Sequence, residues 1–346
     1  MLAVAKTHKG KGVEVGEFPH PSCGDHEAII EVHAAGICGS DLHVYESLAG
    51  YEWIQLPVIL GHEFAGQVVE IGKKVSRFTV GDRVTGEPAV SCQRCYFCQI
   101  GRPNICENRI TYGLARNGAF ARFIAYPEHA LFPLPGSITF EEGACLEPLG
   151  VALHALENSR FQPGDSAMIL GPGPIGLFLA QILAVSGAYK TFLVGLETDR
   201  ARLEMGARLA SAQILHFEDK SLLKKVQAQT GGLGPDIVFD CSGSAIAGGQ
   251  AVHFVRAGGQ VVWVSIFQEK VSFDGNTLVR KEVDLQASRS RVPATWFRAM
   301  RFLEGKRVRA LDLITHRVPL DQAPGLFEIL LRREGIKGLI IPHSES

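Results

Sequence analysis

Four cysteines in one short segment constrain the fold of this chain more than any other feature. They follow a C-x2-C-x2-C-x7-C spacing, at Cys92, Cys95, Cys98 and Cys106. Short loops that bring four thiolates together create a tetrahedral cage, which is the arrangement of structural zinc. The surrounding lobe, residues 88–110, lacks a hydrophobic core of its own and therefore needs a metal to hold its shape. We expect a closed zinc site here, with no coordination position left for a substrate.

A second, dissimilar set of metal-binding side chains lies around this lobe in the sequence. It consists of Cys38, the adjacent pair His62 and Glu63, and Glu147. Taken singly, Cys38 is explained as a small buried residue and His62 as an ordinary core histidine. Together, a thiolate, an imidazole and a carboxylate leave a fourth zinc position open for water or an alcohol, which is typical of a catalytic site. Zinc lowers the pKa of such a bound hydroxyl toward neutrality.

A third signal is the glycine-rich run from Gly171 to Gly176, which follows a predicted strand and opens a predicted helix. In a dinucleotide-binding unit, the glycines permit the tight turn, the approach of a pyrophosphate and close helix packing. Glu197, at the end of the next predicted strand, favours NAD over NADP, although Arg200 and Arg202 weaken that preference. The candidate cofactor-binding residues are Gly171, Gly173, Pro174, Ile175, Gly176, Glu197, Arg202, Val264, Ser265 and Ile266.

The pattern of apolar residues predicts an α/β protein with two domains. Residues 1–150 are β-rich and include the zinc lobe. From residue 151, strands alternate with helices, which predicts parallel βαβ units in a doubly wound sheet. We place this nucleotide-binding domain at residues 151–290 and expect residues 291–346 to return to the first domain. The predicted elements of the second part are strands 166–170, 191–196, 235–240 and 259–266 and helices 175–186, 200–209 and 245–257.

Composition excludes several classes of protein. A formal net charge of -1 gives no reason to expect a nucleic-acid partner, and no basic stripe with interleaved aromatic residues occurs. The N-terminal residues lack the apolar region of a signal peptide, and no membrane span is expected. Eight cysteines without a secretion signal are more consistent with metal ligands in a reducing cytoplasm than with disulfides.

Over essentially its whole length the chain resembles the zinc-containing medium-chain dehydrogenases. The motifs that carry this resemblance are 36–43 (GICGSDLH), 61–66 (GHEFAG), the cysteine lobe, 144–149 (ACLEPL) and the glycine run. The resemblance implies a GroES-like catalytic domain, a Rossmann NAD-binding domain, two zinc ions per chain and a homo-oligomer, either a tetramer or a dimer. It also implies that Ser40 and His43 relay the substrate proton outward.

Within that family the chain looks most like the sorbitol (L-iditol) and threonine dehydrogenase branch. Members of this branch use a Cys, a His and a Glu at the catalytic zinc, and a second Glu can exchange in or act through water. Carried over, these residues are Cys38, His62, Glu63 and Glu147. The sequence does not decide which of the two glutamates contacts the metal directly.

The expected reaction is NAD-linked oxidation of a secondary alcohol to a ketone by hydride transfer, on a polyol, cyclitol or sugar-like substrate. An alternative is L-threonine 3-dehydrogenase or another amino-alcohol dehydrogenase. Ala89 stands where threonine dehydrogenases usually carry a histidine, and Val151 begins a segment that differs from theirs. An alternative of another class is a non-catalytic NAD-binding sensor, which would hold zinc in the lobe alone.

Overall fold

The computed structural model describes residues 1–343, which form two compact units. The first unit comprises Met1–Glu147, Val292–Glu304 and the chain from Ala310 onward, and the second comprises Pro148–Arg291 and Gly305–Arg309. The division after Glu147 falls three residues before the boundary set from the sequence. Arg291 lies with the second unit and not with the returning segment. Within the described chain, no helix is both long enough and apolar enough to cross a membrane.

The N-terminal half is built mainly from strands, as its alternating apolar residues predict. Its strands are β1 (Leu2–Lys6), β2 (Glu14–Glu17), β3 (Glu27–Gly36), β4 (Val58–Ile59), β5 (Glu63–Ile71), β6 (Arg83–Gly86), β7 (Ala89–Val90), β8 (Ile110–Thr111), β9 (Phe123–Pro127) and β10 (Leu131–Pro133). Its helices are α1 (Gly39–Tyr45), α2 (Tyr96–Gln99), α3 (Phe140–Ala144) and α4 (Leu146–Glu157). The cysteine lobe contains only β7, β8, the single turn α2 and a short 3-10 turn.

The second part alternates strands and helices. Its strands are β11 (Ser166–Leu170), β12 (Lys190–Gly195), β13 (Gln213–His216), β14 (Ile237–Asp240), β15 (Gln260–Trp263) and β16 (Asp284–Ala287). Its helices are α5 (Pro174–Val185), α6 (Arg200–Ala210), α7 (Leu222–Gln227), α8 (Ala245–Phe254) and α9 (Gly275–Arg280). All six strands pair in parallel in the order β13-β12-β11-β14-β15-β16. Renumbered from one, this is the 3-2-1-4-5-6 order of a doubly wound sheet with its switch point between β11 and β14.

The remaining elements are α10 (Pro293–Glu304), β17 (Ile314–Val318), α11 (Ala323–Leu331) and β18 (Lys337–Ile340). In the first unit, β18 pairs antiparallel with β3, and β3 also pairs with β5 and β9. Seven of the ten residues of β3 are therefore buried, and the strand lies at the centre of a seven-stranded sheet. This central strand positions the functional residues of the first unit, because the segments that carry them begin or end beside it.

Three predicted elements are shorter in the structure, and the first is the strand predicted at 235–240, which begins at Ile237. The helix that was expected to reach residue 257 ends at Phe254, because Val255 adopts an extended backbone on the way to a turn at Gly258. The following strand was expected to reach residue 266 but ends at Trp263. Val264, Ser265 and Ile266 consequently lie in the loop beyond the carboxyl end of β15.

Candidate functional site

The four lobe cysteines converge on one point. Neighbouring sulfur atoms lie 3.5 Å apart in the Cys95–Cys98 pair, 3.7 Å in the Cys95–Cys106 pair and 3.5 Å in the Cys92–Cys106 pair. All four are free thiols without disulfides. Zinc–sulfur bonds of about 2.3 Å in a tetrahedron require sulfur–sulfur separations of about 3.8 Å. The cage therefore fits a zinc ion. Hydrogen bonding, led by the backbone N–H of Arg94, lowers the pKa of Cys92 to about 6, which favours the thiolate.

A second cluster forms where β3 meets β5. The register of these strands places Gly36 opposite Glu63, so the chain that leaves β3 brings Cys38 next to the His62–Glu63 pair. Cys38 caps the N-terminus of α1, and its backbone N–H donates to Asp41 at 2.9 Å. One potential ligand atom each from Cys38, His62 and Glu63 lies within 4.8 Å of the others. The structure thus brings these three predicted ligands together.

His62 lies in a negatively charged environment. Its Nδ1 is 3.5 Å from Oδ1 of the fully buried Asp41. Burial lowers the pKa of His62, but the Asp41 carboxylate and the Cys38 thiolate raise it more, and the resulting pKa lies well above the ordinary value. Without a metal, the cluster therefore attracts a proton. A carboxylate beside one ring nitrogen is also the usual device that orients a metal-ligating histidine through the other nitrogen.

Glu63 forms a buried ion pair with Lys337 of β18 through Oε2. Its other oxygen, Oε1, is buried and has no hydrogen-bond partner in the part of the chain that the structure describes. Burial raises the pKa of Glu63, and Glu147 raises it further, whereas Lys337 lowers it. Glu147 lies buried in the first turn of α4, outside the group of three atoms that meet within 4.8 Å. An unpartnered carboxylate oxygen beside a thiol and an imidazole fits a zinc ion, and this geometry favours Glu63 over Glu147 as the direct ligand.

The two residues expected to relay a proton have different contacts. Ser40 Oγ lies 3.4 Å from His62 Nε2, at the cluster itself. The Nδ1 atom of His43 lies 3.4 Å from the hydroxyl of Tyr51. Burial lowers the pKa of His43 and raises that of Tyr51 to about 12. At neutral pH, His43 is therefore an uncharged imidazole that can accept a proton.

The glycine run lies at the carboxyl end of β11, in the second unit. Gly171 has a φ of +100°. A Cβ atom on Gly176 would lie 2.1 Å from the carbonyl oxygen of Gly171, so close packing of helix on strand requires glycine there. A Cβ atom on Gly173 would meet nothing within 4 Å, and Gly173 caps the N-terminus of α5. Open space above the free N–H groups of a helix N-terminus fits the pyrophosphate of a dinucleotide.

The other candidate cofactor residues also follow the carboxyl ends of parallel strands. Glu197 follows β12, is 74% exposed, and lies 3.7 Å from His216. Arg202, on α6, is 3.9 Å from the buried Asp199. Beyond β15, Val264 and Ser265 donate backbone N–H groups to Asp240, and Ile266 is exposed. Pro174 and Ile175 form the first turn of α5.

Two charged residues of the first unit belong to the site although sequence reasoning did not select them. Asp41 contacts His62, and Lys337 contacts both Glu63 and the carbonyl oxygen of Ile37. Asp41 lies within the 36–43 motif, but the sequence does not show that its side chain is buried beside His62. Lys337 is a single cation in an apolar strand, and that isolation is the only sequence signal that could have identified it.

Comparisons with known proteins match both halves of the chain. Residues 24–136 match the model of the alcohol dehydrogenase GroES-like domain, and residues 174–305 match that of zinc-binding dehydrogenases. The chain is 35% identical to sorbitol dehydrogenase of Halalkalibacterium halodurans, with 99% of each chain covered.

Solved structures show the same similarity. The structure of 2R,3R-butanediol dehydrogenase from Bacillus subtilis superposes with a TM-score of 0.90, 29% identity and 99% coverage of both chains. A zinc-binding dehydrogenase from Sinorhizobium meliloti 1021, solved with NADP bound, gives the same three values.

Proposed function

Since the chain belongs to the zinc-dependent medium-chain alcohol dehydrogenases, we propose that it oxidises a secondary alcohol of a polyol, cyclitol or sugar-like substrate to a ketone, with NAD as the oxidant. The main support for this proposal is that Cys38, His62 and Glu63 converge on one point. In addition, the buried Oε1 atom of Glu63 has no hydrogen-bond partner among the described residues. Three protein ligands leave an open position, which a purely structural metal site does not need.

Cys38, His62 and Glu63 would hold the catalytic zinc, and Glu147, whose charge raises the pKa of Glu63, would exchange in or act through water. A zinc ion in this position supplies Lewis acidity, which makes the hydroxyl of an alcohol more acidic. Asp41 orients His62, and Lys337 lowers the pKa of Glu63, which favours its ionised form. Both act on the ligands and not on the substrate, so they are positioning residues.

Ser40 and His43 move the proton that the alcohol loses. Ser40 lies beside the metal cluster, and the lowered pKa of His43 leaves its imidazole uncharged at neutral pH, so that it can accept that proton. The cofactor, a nicotinamide dinucleotide, accepts the hydrogen of the carbinol carbon with its electron pair.

In the second unit, Gly171, Gly173, Pro174, Ile175 and Gly176 receive the pyrophosphate at the start of α5. The carboxylate of Glu197 bonds the ribose hydroxyls and disfavours a 2'-phosphate. Its exposure and position beyond β12 support this role. The other residues that we expect to contact the cofactor are Arg202, Val264, Ser265 and Ile266.

The proposed reaction also assigns a role to each unit and suggests where, and with which partners, the protein acts. The first unit is the catalytic domain, its lobe carries a structural zinc on Cys92, Cys95, Cys98 and Cys106, and the second unit binds NAD. The protein acts in the cytoplasm as a homo-oligomer, either a tetramer or a dimer, on a small alcohol and without nucleic-acid or membrane partners. Mass measurement in solution tests the oligomer.

Two of the proteins compared above are named for a polyol and a vicinal diol, sorbitol and 2R,3R-butanediol. They favour polyol oxidation, and neither indicates the threonine dehydrogenase alternative. The sensor alternative has no observation in its favour, because the cluster around Cys38 is intact.

The test is Cys38→Ser, compared with Cys23→Ser as a matched control. Cys23 is a partly buried thiol of the same unit that lies outside both cysteine-containing clusters. We expect Cys38→Ser to lose one zinc per chain and nearly all turnover while it still binds NAD. Cys23→Ser should behave as wild type. Loss of NAD binding together with turnover would instead assign Cys38 a role in folding.

A further inference from the structure

A third group of potential ligands lies in the first unit and shares no residue with the two cysteine-containing clusters. It consists of Glu31, His33 and His343, with one donor atom of each within 4.8 Å of the others. Nε2 of His343 is 3.7 Å from Oε1 of Glu31, and the two imidazole rings lie 5.1 Å apart between centroids. Nothing in the proposed alcohol oxidation uses these residues.

The fold brings the three side chains together through the central strand. Glu31 and His33 are two residues apart on β3, and one donor atom of each lies within 4.8 Å of the other although the register with β5 shifts at His33. β18 runs antiparallel to β3 with Ile340 opposite Ala35, so the chain that continues past β18 runs back alongside β3 toward His33. His343 lies in this continuation, three residues beyond the end of β18.

Both histidines have an orphaned ring nitrogen. The Nε2 atoms of His33 and His343 are buried and have no hydrogen-bond partner among residues 1–343. The ring of His33 is held in place by stacking on Phe140, with centroids 4.1 Å apart. A buried polar atom without a hydrogen-bond partner destabilises the folded state. Two such atoms beside a carboxylate therefore indicate a place for a bound water or ion.

We propose that Glu31, His33 and His343 form a third metal site, for a divalent transition-metal ion such as Zn²⁺. Two imidazole nitrogens and one carboxylate oxygen are borderline donors that suit zinc, copper, nickel and iron better than magnesium or calcium. The side chains of Glu31 and His343 are 21% and 26% exposed, so the site borders the solvent although the histidine Nε2 atoms are buried. The bound ion joins the segment beyond β18 to the central strand, and its role is stability and not turnover.

Two nearby arginine side chains affect how tightly this site binds a metal ion. Arg122 donates two hydrogen bonds to Oε1 of Glu31, at 3.0 and 3.2 Å, which orients the carboxylate as outer partners of metal ligands do. The guanidinium of Arg83 lies 4.3 Å from the centre of the Phe140 ring on which His33 stacks. Both charges repel a cation, so the site binds zinc more weakly than either cysteine-containing cluster.

The experiment measures zinc per chain by mass spectrometry after the full-length holoenzyme is dialysed against buffered micromolar free zinc. The variants are His343→Ala, near the end of the described chain, and His33→Asn, which removes the second imidazole. The control is His8→Ala, because His8 is an exposed histidine 3.4 Å from Glu14 and belongs to no group of three potential ligands within the described residues.

We expect wild type and His8→Ala to hold one zinc ion more than His343→Ala and His33→Asn. Added zinc should raise the melting temperature of wild type and leave that of His343→Ala unchanged. Equal zinc content in all four proteins would overturn the proposal. Turnover and NAD binding should be the same in His343→Ala as in wild type, so the result is independent of the proposed alcohol oxidation.

Discussion

Lys337 and Glu63 form an ion pair in which each side chain is only 1% exposed. The two residues are separated by 274 positions in the sequence and meet because β18 and β5 flank the same central strand. Burial alone lowers the pKa of Lys337, but Glu63 and Cys38 raise it more, so the lysine keeps its proton. Lys337 therefore supplies a fixed positive charge next to the carboxylate that is proposed to hold the catalytic zinc.

Replacing Lys337 with methionine should weaken the catalytic zinc site. Without the ammonium group, burial and Glu147 raise the pKa of Glu63 further, with His62 still opposing them, and a protonated carboxyl is a poor metal ligand. Breaking such a pair costs about 3–5 kcal/mol of stability, and loss of an outer partner costs about 10–100-fold in metal affinity or activity. Zinc content, kcat/KM and thermal melting measure these effects.

The control for this variant is Lys74→Met, which removes an exposed lysine paired with Asp25. It should leave zinc content and turnover unchanged, because an exposed ion pair contributes little. Wild-type zinc content and turnover in Lys337→Met would show that Glu63 does not depend on the lysine.

Two glycines of the same turn should respond differently to alanine. At Gly176 the new Cβ would clash with the carbonyl of Gly171, so Gly176→Ala should lower stability by about 1–3 kcal/mol. At Gly173 the new Cβ meets open space, so Gly173→Ala should melt like wild type but bind NAD at least about 10-fold more weakly. Melting curves and NAD titration separate the two effects. Undiminished NAD affinity in Gly173→Ala would contradict the proposed pyrophosphate position.

The dependence of kcat/KM on pH should reflect the protonation of His43. Burial lowers its pKa below the ordinary 6.5, so the neutral, proton-accepting form persists below pH 6.5 and is lost only in more acidic solution. The acidic limb of kcat/KM that belongs to His43 therefore lies below pH 6.5. His43→Gln should remove that limb and reduce kcat/KM by about 100-fold at neutral pH. The measurement is kcat/KM as a function of pH.

His129→Gln is the matched control, because burial also lowers the pKa of His129, which lies away from the cluster in a turn before β10. Its pH profile should be that of wild type. If His43→Gln kept the wild-type profile, the proton relay would have to be reassigned.

The cysteine lobe should hold its zinc independently of the cluster around Cys38. Cys98→Ser should lose one zinc ion per chain and make the lobe sensitive to proteolysis, since the lobe has little other structure. Cys38→Ser should lose a different zinc ion and keep the lobe protected, and the double variant should lose both. Zinc analysis with limited proteolysis checks this. An unchanged zinc content in Cys98→Ser would contradict the structural site.

The fold class and the family could be predicted from the sequence, and the similarity to zinc-binding dehydrogenases confirms both predictions. This succeeded because each motif is local: the cysteines lie in one lobe, and the glycine run lies in one turn. The alternation of strands and helices likewise fixed the parallel sheet before its strand order was known. The expected polyol reaction agrees with the sorbitol and butanediol dehydrogenases found as relatives.

Long-range pairing could not be predicted in the same way. Lys337 meets Glu63, and His343 meets His33, only through the pairing of β18 beside β3, and no local pattern encodes that register. The sequence also left Glu63 and Glu147 equivalent. Their difference comes from geometry, since Glu63 begins β5 beside Cys38 whereas Glu147 lies in the first turn of α4.

The most direct test of the central claim is the initial rate of NAD reduction by the zinc-loaded protein with polyols, cyclitols, sugar acids and L-threonine. NADP is tested in parallel. The account predicts turnover of a polyol-like secondary alcohol, with NAD preferred through Glu197, and little or no turnover of threonine. Turnover of threonine alone, or of no alcohol by a protein that holds zinc only in the cysteine lobe, would contradict it.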